Sequence, residues 1–133
     1  MFNVRSSDDA AAVLSFFNGF HDAFVESVVV VARPESPGGF GFALPVRYDV
    51  TLSFVHSNYR AAEERGGREQ RIEMRLFGVG RMKIGDIVAV DNMLQDCRIE
   101  VAANGTIEVD VGGDGLVTFE CGSLAIEEMG ALG

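Results

Sequence analysis

An α+β, β-rich fold, an antiparallel sheet or sandwich of about seven strands with one N-terminal helix, is what the sequence predicts. Short segments in which apolar and polar residues alternate recur along most of the chain, and that period belongs to strands with one buried face. Sixteen glycines against three prolines suit many tight turns. Only one stretch, near the N-terminus, carries a capped helical pattern. The length of 133 residues fits a single domain spanning 1–133, and a hydrophobic content of 47% is enough for a core.

The helix is expected after Ser6 and Ser7. Serine suits an N-cap, Asp8 and Asp9 complement the positive end of the helix dipole, and Asn18-Gly19 provides a stop. Val13, Leu14, Phe16 and Phe17 are its apolar residues. The valine-rich segment 24–33 reads as a strand buried on both faces or nearly so. Pro34, Ser36, Pro37, Gly38, Gly39 and Gly41 then predict a loop whose Phe40 and Phe42 fold back onto the core.

Residues 48–56 alternate, with Val50, Leu52 and Phe54 inward, and 71–77 alternate with Ile72, Met74 and Leu76 inward. The charged stretch 57–69 between them reads as a hairpin loop. Segment 84–94 is compatible with a strand, a short helix or both.

Strand register can be deduced in the C-terminal third. A three-residue loop, Ala103-Asn104-Gly105, pairs Val101 with Ile107 and Ile99 with Val109, keeping the core face apolar and leaving glycine at the left-handed position. A five-residue loop over 112–116 pairs Val111 with Val117 and Val109 with Phe119. A Gly122-Ser123 turn then pairs Cys121 with Leu124 and Phe119 with Ile126, completing a four-stranded meander.

This register puts Glu100, Glu108 and Glu120 side by side on the outer face, with Arg98, Asp110, Thr118 and Glu127 in the next row. Like charges opposite one another on a sheet cost up to about 1 kcal/mol. Three readings of the face are open: a solvated surface, a docking site for a basic partner that removes the repulsion, and a divalent cation held between carboxylates. The candidate protein-binding residues are Glu100, Glu108, Asp110, Glu120 and Glu127.

The charge distribution agrees with a basic partner. Residues 1–83 sum to zero, whereas 84–133 hold Arg98 against ten acids and account for the whole net charge of −9. Such a surface repels nucleic-acid phosphates and anionic membranes. No stretch approaches the roughly 20 apolar residues of a membrane span, and the start of the chain lacks the pattern of a signal peptide.

Two cysteines, Cys97 and Cys121, fall on non-adjacent strands and are expected to be unbridged, in keeping with a cytoplasmic protein. His21 and Asp22 are neighbours at a strand entrance, where alternation would point them to opposite faces, and His56 ends a strand. Structural roles are expected for both histidines. No nucleophile elbow, phosphate loop or dinucleotide fingerprint is present, so no catalytic residues, cofactor or metal are expected. The calcium-loop look of 110–115 fails because the chelating Glu is not at the required spacing.

Several of these segments also form a recognisable series. Phe20-His21-Asp22-Ala23 precedes Val25-Glu26-Ser27-Val28. Arg75-Leu76-Phe77-Gly78-Val79 follows, then Asp91-Asn92-Met93-Leu94 with Arg98-Ile99-Glu100, and finally Thr118-Phe119-Glu120-Cys121-Gly122-Ser123. The series resembles a group of small bacterial β-rich proteins, several of them classed as predicted immunity proteins of polymorphic toxin systems (the immunity protein fifty type). The resemblance spans about residues 16–128, and the loops 34–45 and 57–69 depart from the compact pattern of the group. It implies a toxin-binding protein without catalytic residues. A structural or homo-oligomeric domain is the alternative.

Overall fold

Ser6 opens the main helix: its hydroxyl accepts the Asp9 N–H at 3.1 Å, and α1 runs Ser7–Phe16. In the computed structural model, which describes residues 1–34, 46–64, 66–85, 96–112, 115 and 117–131, the chain is 58% strand. Among the described residues there are nine strands rather than seven: β1 Phe2–Val4, β2 Phe24–Pro34, β3 Val46–His56, β4 Gln70–Val79, β5 Arg81–Ile84, β6 Cys97–Val101, β7 Ile107–Val111, β8 Val117–Cys121 and β9 Ser123–Ala131. They form two antiparallel sheets, ordered β1-β9-β4-β3-β2 and β5-β8-β7-β6.

The apolar faces of both sheets share one core. Val50, Leu52, Phe54, Ile72, Met74, Leu76, Leu124 and Ile126 come from the first sheet, and Ile99, Ile107, Val109, Val111, Val117 and Phe119 from the second. Ala10, Val13 and Phe17 bring α1 into it, while Leu14 and Phe16 are half-buried. Cys97 and Cys121 lie in this core, unbridged, with β7 between their strands.

The two sheets are joined at a corner that two neighbouring strands turn together. The Gly122 N–H donates to the Phe77 carbonyl and the Gly80 N–H to the Glu120 carbonyl, both at 3.0 Å. Gly78 adopts φ 65°, which a side chain would resist. On either side of the bend Phe77 pairs with Ser123 and Arg81 with Glu120, so the β4–β5 path carries one residue more than the β8–β9 path.

The corner corrects the expected meander. β9 does not fold back on β8; it crosses to the first sheet, where Leu124 faces Leu76 and Ile126 faces Met74. A glycine able to start a tight hairpin is equally able to bend a strand into another sheet, and the apolar alternation of β9 satisfies either partner.

Two further expectations are revised. β2 is not buried: it is the edge of the five-stranded sheet and its central valines are exposed. Segment 57–69 is not only loop, because Arg60–Glu64 forms a short helix, α2, which follows the buried Tyr59 and itself buries Ala62. The Tyr59 hydroxyl donates to Glu128 Oε2 at 2.8 Å, tying α2 to β9. The expected placements of Phe40 and Phe42, and most of segment 84–94, lie outside the described residues.

After α1 the chain makes a left-handed turn in which Asn18, Gly19 and Phe20 have φ of 52°, 62° and 57°. A phenylalanine there costs roughly 1–2 kcal/mol. Burial offsets it: the Phe20 ring stacks on Phe17 at 5.0 Å and packs on Phe54 at 5.2 Å.

Candidate functional site

The outer face of the four-stranded sheet carries the carboxylates in the expected register. Glu100 stands opposite Glu108 and Glu108 opposite Glu120, on strands about 5 Å apart. Each sits between inward residues, Ile99, Val109 and Phe119, whose burial fixes the parity that turns the glutamates out. The loop chemistry agrees: Gly105 has φ 88°, Ala102 N–H donates to the Thr106 carbonyl at 2.8 Å, and the loop is the three-residue 103–105.

Not all five candidates come together. Glu127 lies on β9 and therefore on the first sheet, opposite Glu73 and 3.7 Å from Arg75 Nη2. Asp110 is on the right face but occupied locally, its Oδ1 accepting the Gly115 N–H at 3.2 Å and closing the β7–β8 loop. That hydrogen bond gives Asp110 a structural role in the loop that has a calcium-like look in sequence.

Two basic residues complete the face. β5 pairs with β8, setting Arg81 opposite Glu120 and Lys83 opposite Thr118. The first row thus runs Glu100, Glu108, Glu120, Arg81, and the second Arg98, Asp110, Thr118, Lys83. The alternation Arg81-Met82-Lys83-Ile84 after Gly80 is the sequence signal that identifies this strand.

These residues line a shallow groove of about 380 Å³ that is open to solvent. Four carboxylates there face three cations, so the acidic character is concentrated in one row rather than spread over the face. Among the described residues no ion pair within 4 Å joins the row to a cation. The outer face of the first sheet is different. There Arg71 bridges Glu26, with Nη2 to Oε1 at 2.8 Å; Arg75 bridges Glu73 at 2.9 Å; and Arg33 bridges Asp49 at 2.5 Å. On the outer face of the first sheet the described carboxylates Glu26, Asp49, Glu73 and Glu127 thus have arginine partners, whereas Glu100, Glu108 and Glu120 on the second have none within 4 Å.

Neither histidine builds a reactive centre. His21 and Asp22 do meet, Nε2 to Oδ1 at 3.7 Å, contrary to the expectation from strand alternation. They sit in the turn before β2, and Asp22 with φ 65° swings the two side chains to one side. Both are about half exposed, in a place that excludes no water. His56 is buried and shares hydrogen bonds with the backbone.

Burial pushes the thiols of Cys97 and Cys121 up to about 12, which leaves them protonated and unreactive. Among the described residues no group of three or more His, Cys, Asp or Glu converges as metal ligands, and no helix is long and apolar enough to cross a membrane. Comparison of the chain with protein-family models, curated protein sequences and solved structures found no match.

Proposed function

We propose that this chain is a binding protein of the immunity type, which holds a basic partner protein, a toxin, on the outer face of its four-stranded sheet. One observation carries the reading: Glu100, Glu108 and Glu120 are aligned across three strands with no cation within 4 Å among the described residues. A row of like charges is unfavourable in the free protein, and a partner's lysines or arginines relieve it. The same field accelerates encounter with a basic surface. Arg81, Lys83 and Arg98 at the margins select a partner whose basic centre is flanked by acids.

The groove is shallow and open, which suits side chains of a docked protein better than an enclosed substrate. The test is calorimetric titration of the chain with basic toxin nuclease domains at low and high salt. Binding that weakens with salt and disappears in the double variant Glu108→Lys, Glu120→Lys, with thermal melting retained, is the expected result. Binding indifferent to both salt and charge reversal overturns the proposal.

A further inference from the structure

The connection between β3 and β4 lies as a strap over one end of the core. Its described residues, 57–64 and 66–69, contain α2, and the backbone bonds of that stretch stay within it: the Glu63 N–H donates to the Tyr59 carbonyl at 3.1 Å and the Gly67 N–H to the Ala62 carbonyl at 2.7 Å. Side chains hold it down. Tyr59 and Ala62 are buried, the Tyr59 ring packs on Phe17 at 5.3 Å and on Phe16 at 6.1 Å, and Arg60 Nη2 donates to Ser15 Oγ at 3.4 Å. A segment anchored by a few side chains opens more readily than a strand laced into a sheet.

His56 stands at the root of the strap, buried between the rings of Phe20 and Tyr59. Its neighbours fix the role of each ring nitrogen. Nε2 faces the Phe17 carbonyl at 2.8 Å and must donate, whereas Nδ1 faces the Asn58 N–H at 3.4 Å and must accept. A second proton has only Nδ1 to enter, and there it meets another donor. The bond to Phe17 is the shorter of the two and strengthens when the ring is charged, so the contact with Asn58 is the one that yields. Asn58 belongs to the strap and directly precedes its main anchor, Tyr59.

We propose that the strap is an acid-operated latch: a proton on Nδ1 of His56 expels the Asn58 N–H, lifts Tyr59 and α2 from the core, and uncovers the apolar surface that Tyr59 covers on Phe16 and Phe17.

The charges around the ring do not cancel this effect. The turn before β2 brings Asp22, which favours the charged ring, and His21, which opposes it. α1 carries its acids in the first turn and has no basic residue in the last. β4 sets the neutral Gln70 opposite His56. α2 carries Arg60, Glu63 and Glu64, all exposed, and Glu128 of β9 accepts the Tyr59 hydroxyl at 2.8 Å. The faces of Phe20 and Tyr59 attract a cation, but burial is the largest influence and holds the ring below its ordinary 6.5. With the strap open the imidazole is in water and titrates near 6.5. The open form therefore takes the proton first, and its population grows by up to about tenfold per pH unit from there down to the folded-state pKa.

Hydrogen exchange of the full chain, followed by NMR between about pH 7 and pH 5 and corrected for the pH dependence of intrinsic exchange, tests the latch. Protection of the Glu63 and Gly67 amides is expected to fall by up to about tenfold per pH unit below about 6.5, and to be insensitive to low concentrations of urea. Amides of β7, which exchange through global unfolding, are expected to respond to urea. His56→Gln is expected to remove the pH dependence at the strap. Glu128→Gln, which weakens the Tyr59 tie without touching the ring, is expected to lower protection at every pH and keep the dependence. Should His56→Gln not fold, the wild type decides: the fall in strap protection is expected to level off at the pH where the His56 ring itself titrates. Strap protection that stays flat, a dependence that persists in His56→Gln, a fall that runs on past the His56 titration, or strap amides with the urea response of β7 each overturns the latch.

Discussion

The imidazole of His56 reaches back to the backbone of Phe17, with Nε2 2.8 Å from the carbonyl oxygen, and joins the end of β3 to the end of α1. Its Nδ1 faces the Asn58 N–H at 3.4 Å, so a neutral ring with its proton on Nε2 satisfies both contacts. Phe20 and Tyr59 stack against it at 6.2 and 5.0 Å.

Burial lowers the pKa of His56 below the ordinary 6.5, and the bond to Phe17 offsets part of that effect. The unfolded chain therefore takes up the proton first as pH falls. The contribution of His56 to stability is complete above about pH 6.5 and declines as pH drops from there toward the folded-state pKa. Chemical denaturation at pH steps between about 7 and 5 is expected to show this loss, and His56→Gln, which keeps a donor but does not titrate, to flatten it. An unchanged slope in the variant means that other groups cause it.

The carboxylate row and Glu127 make opposite predictions. Glu108 has a glutamate on each side, so Glu108→Gln is expected to stabilise the protein by about 0.3–1 kcal/mol at low salt, with a smaller gain at high salt. Glu127 lies beside Arg75, and Glu127→Gln is expected to be neutral or destabilising by up to about 0.5 kcal/mol. Urea denaturation of both variants at two salt concentrations decides it; a Glu108→Gln variant less stable than wild type would show that the row is not repulsive.

The sequence shows how far local pattern reaches. Glu100, Glu108 and Glu120 could be aligned from it because alternation and loop length independently demand one register. Glu127 was misplaced because the pattern of Leu124 and Ile126 is the same whether they pair with β8 or with β4. The exposure of β2 was illegible for a related reason: a run of valines describes a strand without saying whether another strand lies beside it. Arg81 and Lys83 alternate with Met82 and Ile84, yet no strand is expected there from the sequence, because a four-residue segment is short and its place beside Glu120 depends on the corner at Gly78 and Gly80, a tertiary feature. The meeting of His21 with Asp22 depends on a left-handed turn that Asp tolerates but does not announce.

The cysteines give a measure of how closed the core is. Burial pushes both thiols up to about 12, which keeps them protonated at neutral pH, and neither is exposed. An aromatic disulfide reagent is expected to label neither residue in the native state and both after denaturation, at a rate set by unfolding. Rapid native labelling of Cys97 would mean that β6 opens locally.

The corner between the sheets offers the sharpest test of the architecture, because its glycines differ in what they do. Gly78 has φ 65° and a Cβ added there meets nothing nearer than the Gly122 nitrogen at 4.0 Å, so Gly78→Ala is a matter of backbone strain rather than crowding. The left-handed conformation costs a residue with a side chain roughly 1–2 kcal/mol. Gly122 lies outside that region, and a Cβ would stand 3.7 Å from the Phe77 oxygen, an ordinary contact. Gly122→Ala also restricts the unfolded chain, a gain of about 0.4–1 kcal/mol where the native conformation is compatible. Guanidinium denaturation is therefore expected to find Gly78→Ala destabilised by about 1–2 kcal/mol and Gly122→Ala unchanged or slightly more stable. The reverse order would mean that the strands bend at Gly122 instead, and the path that carries Arg81 to Glu120 would have to be redrawn.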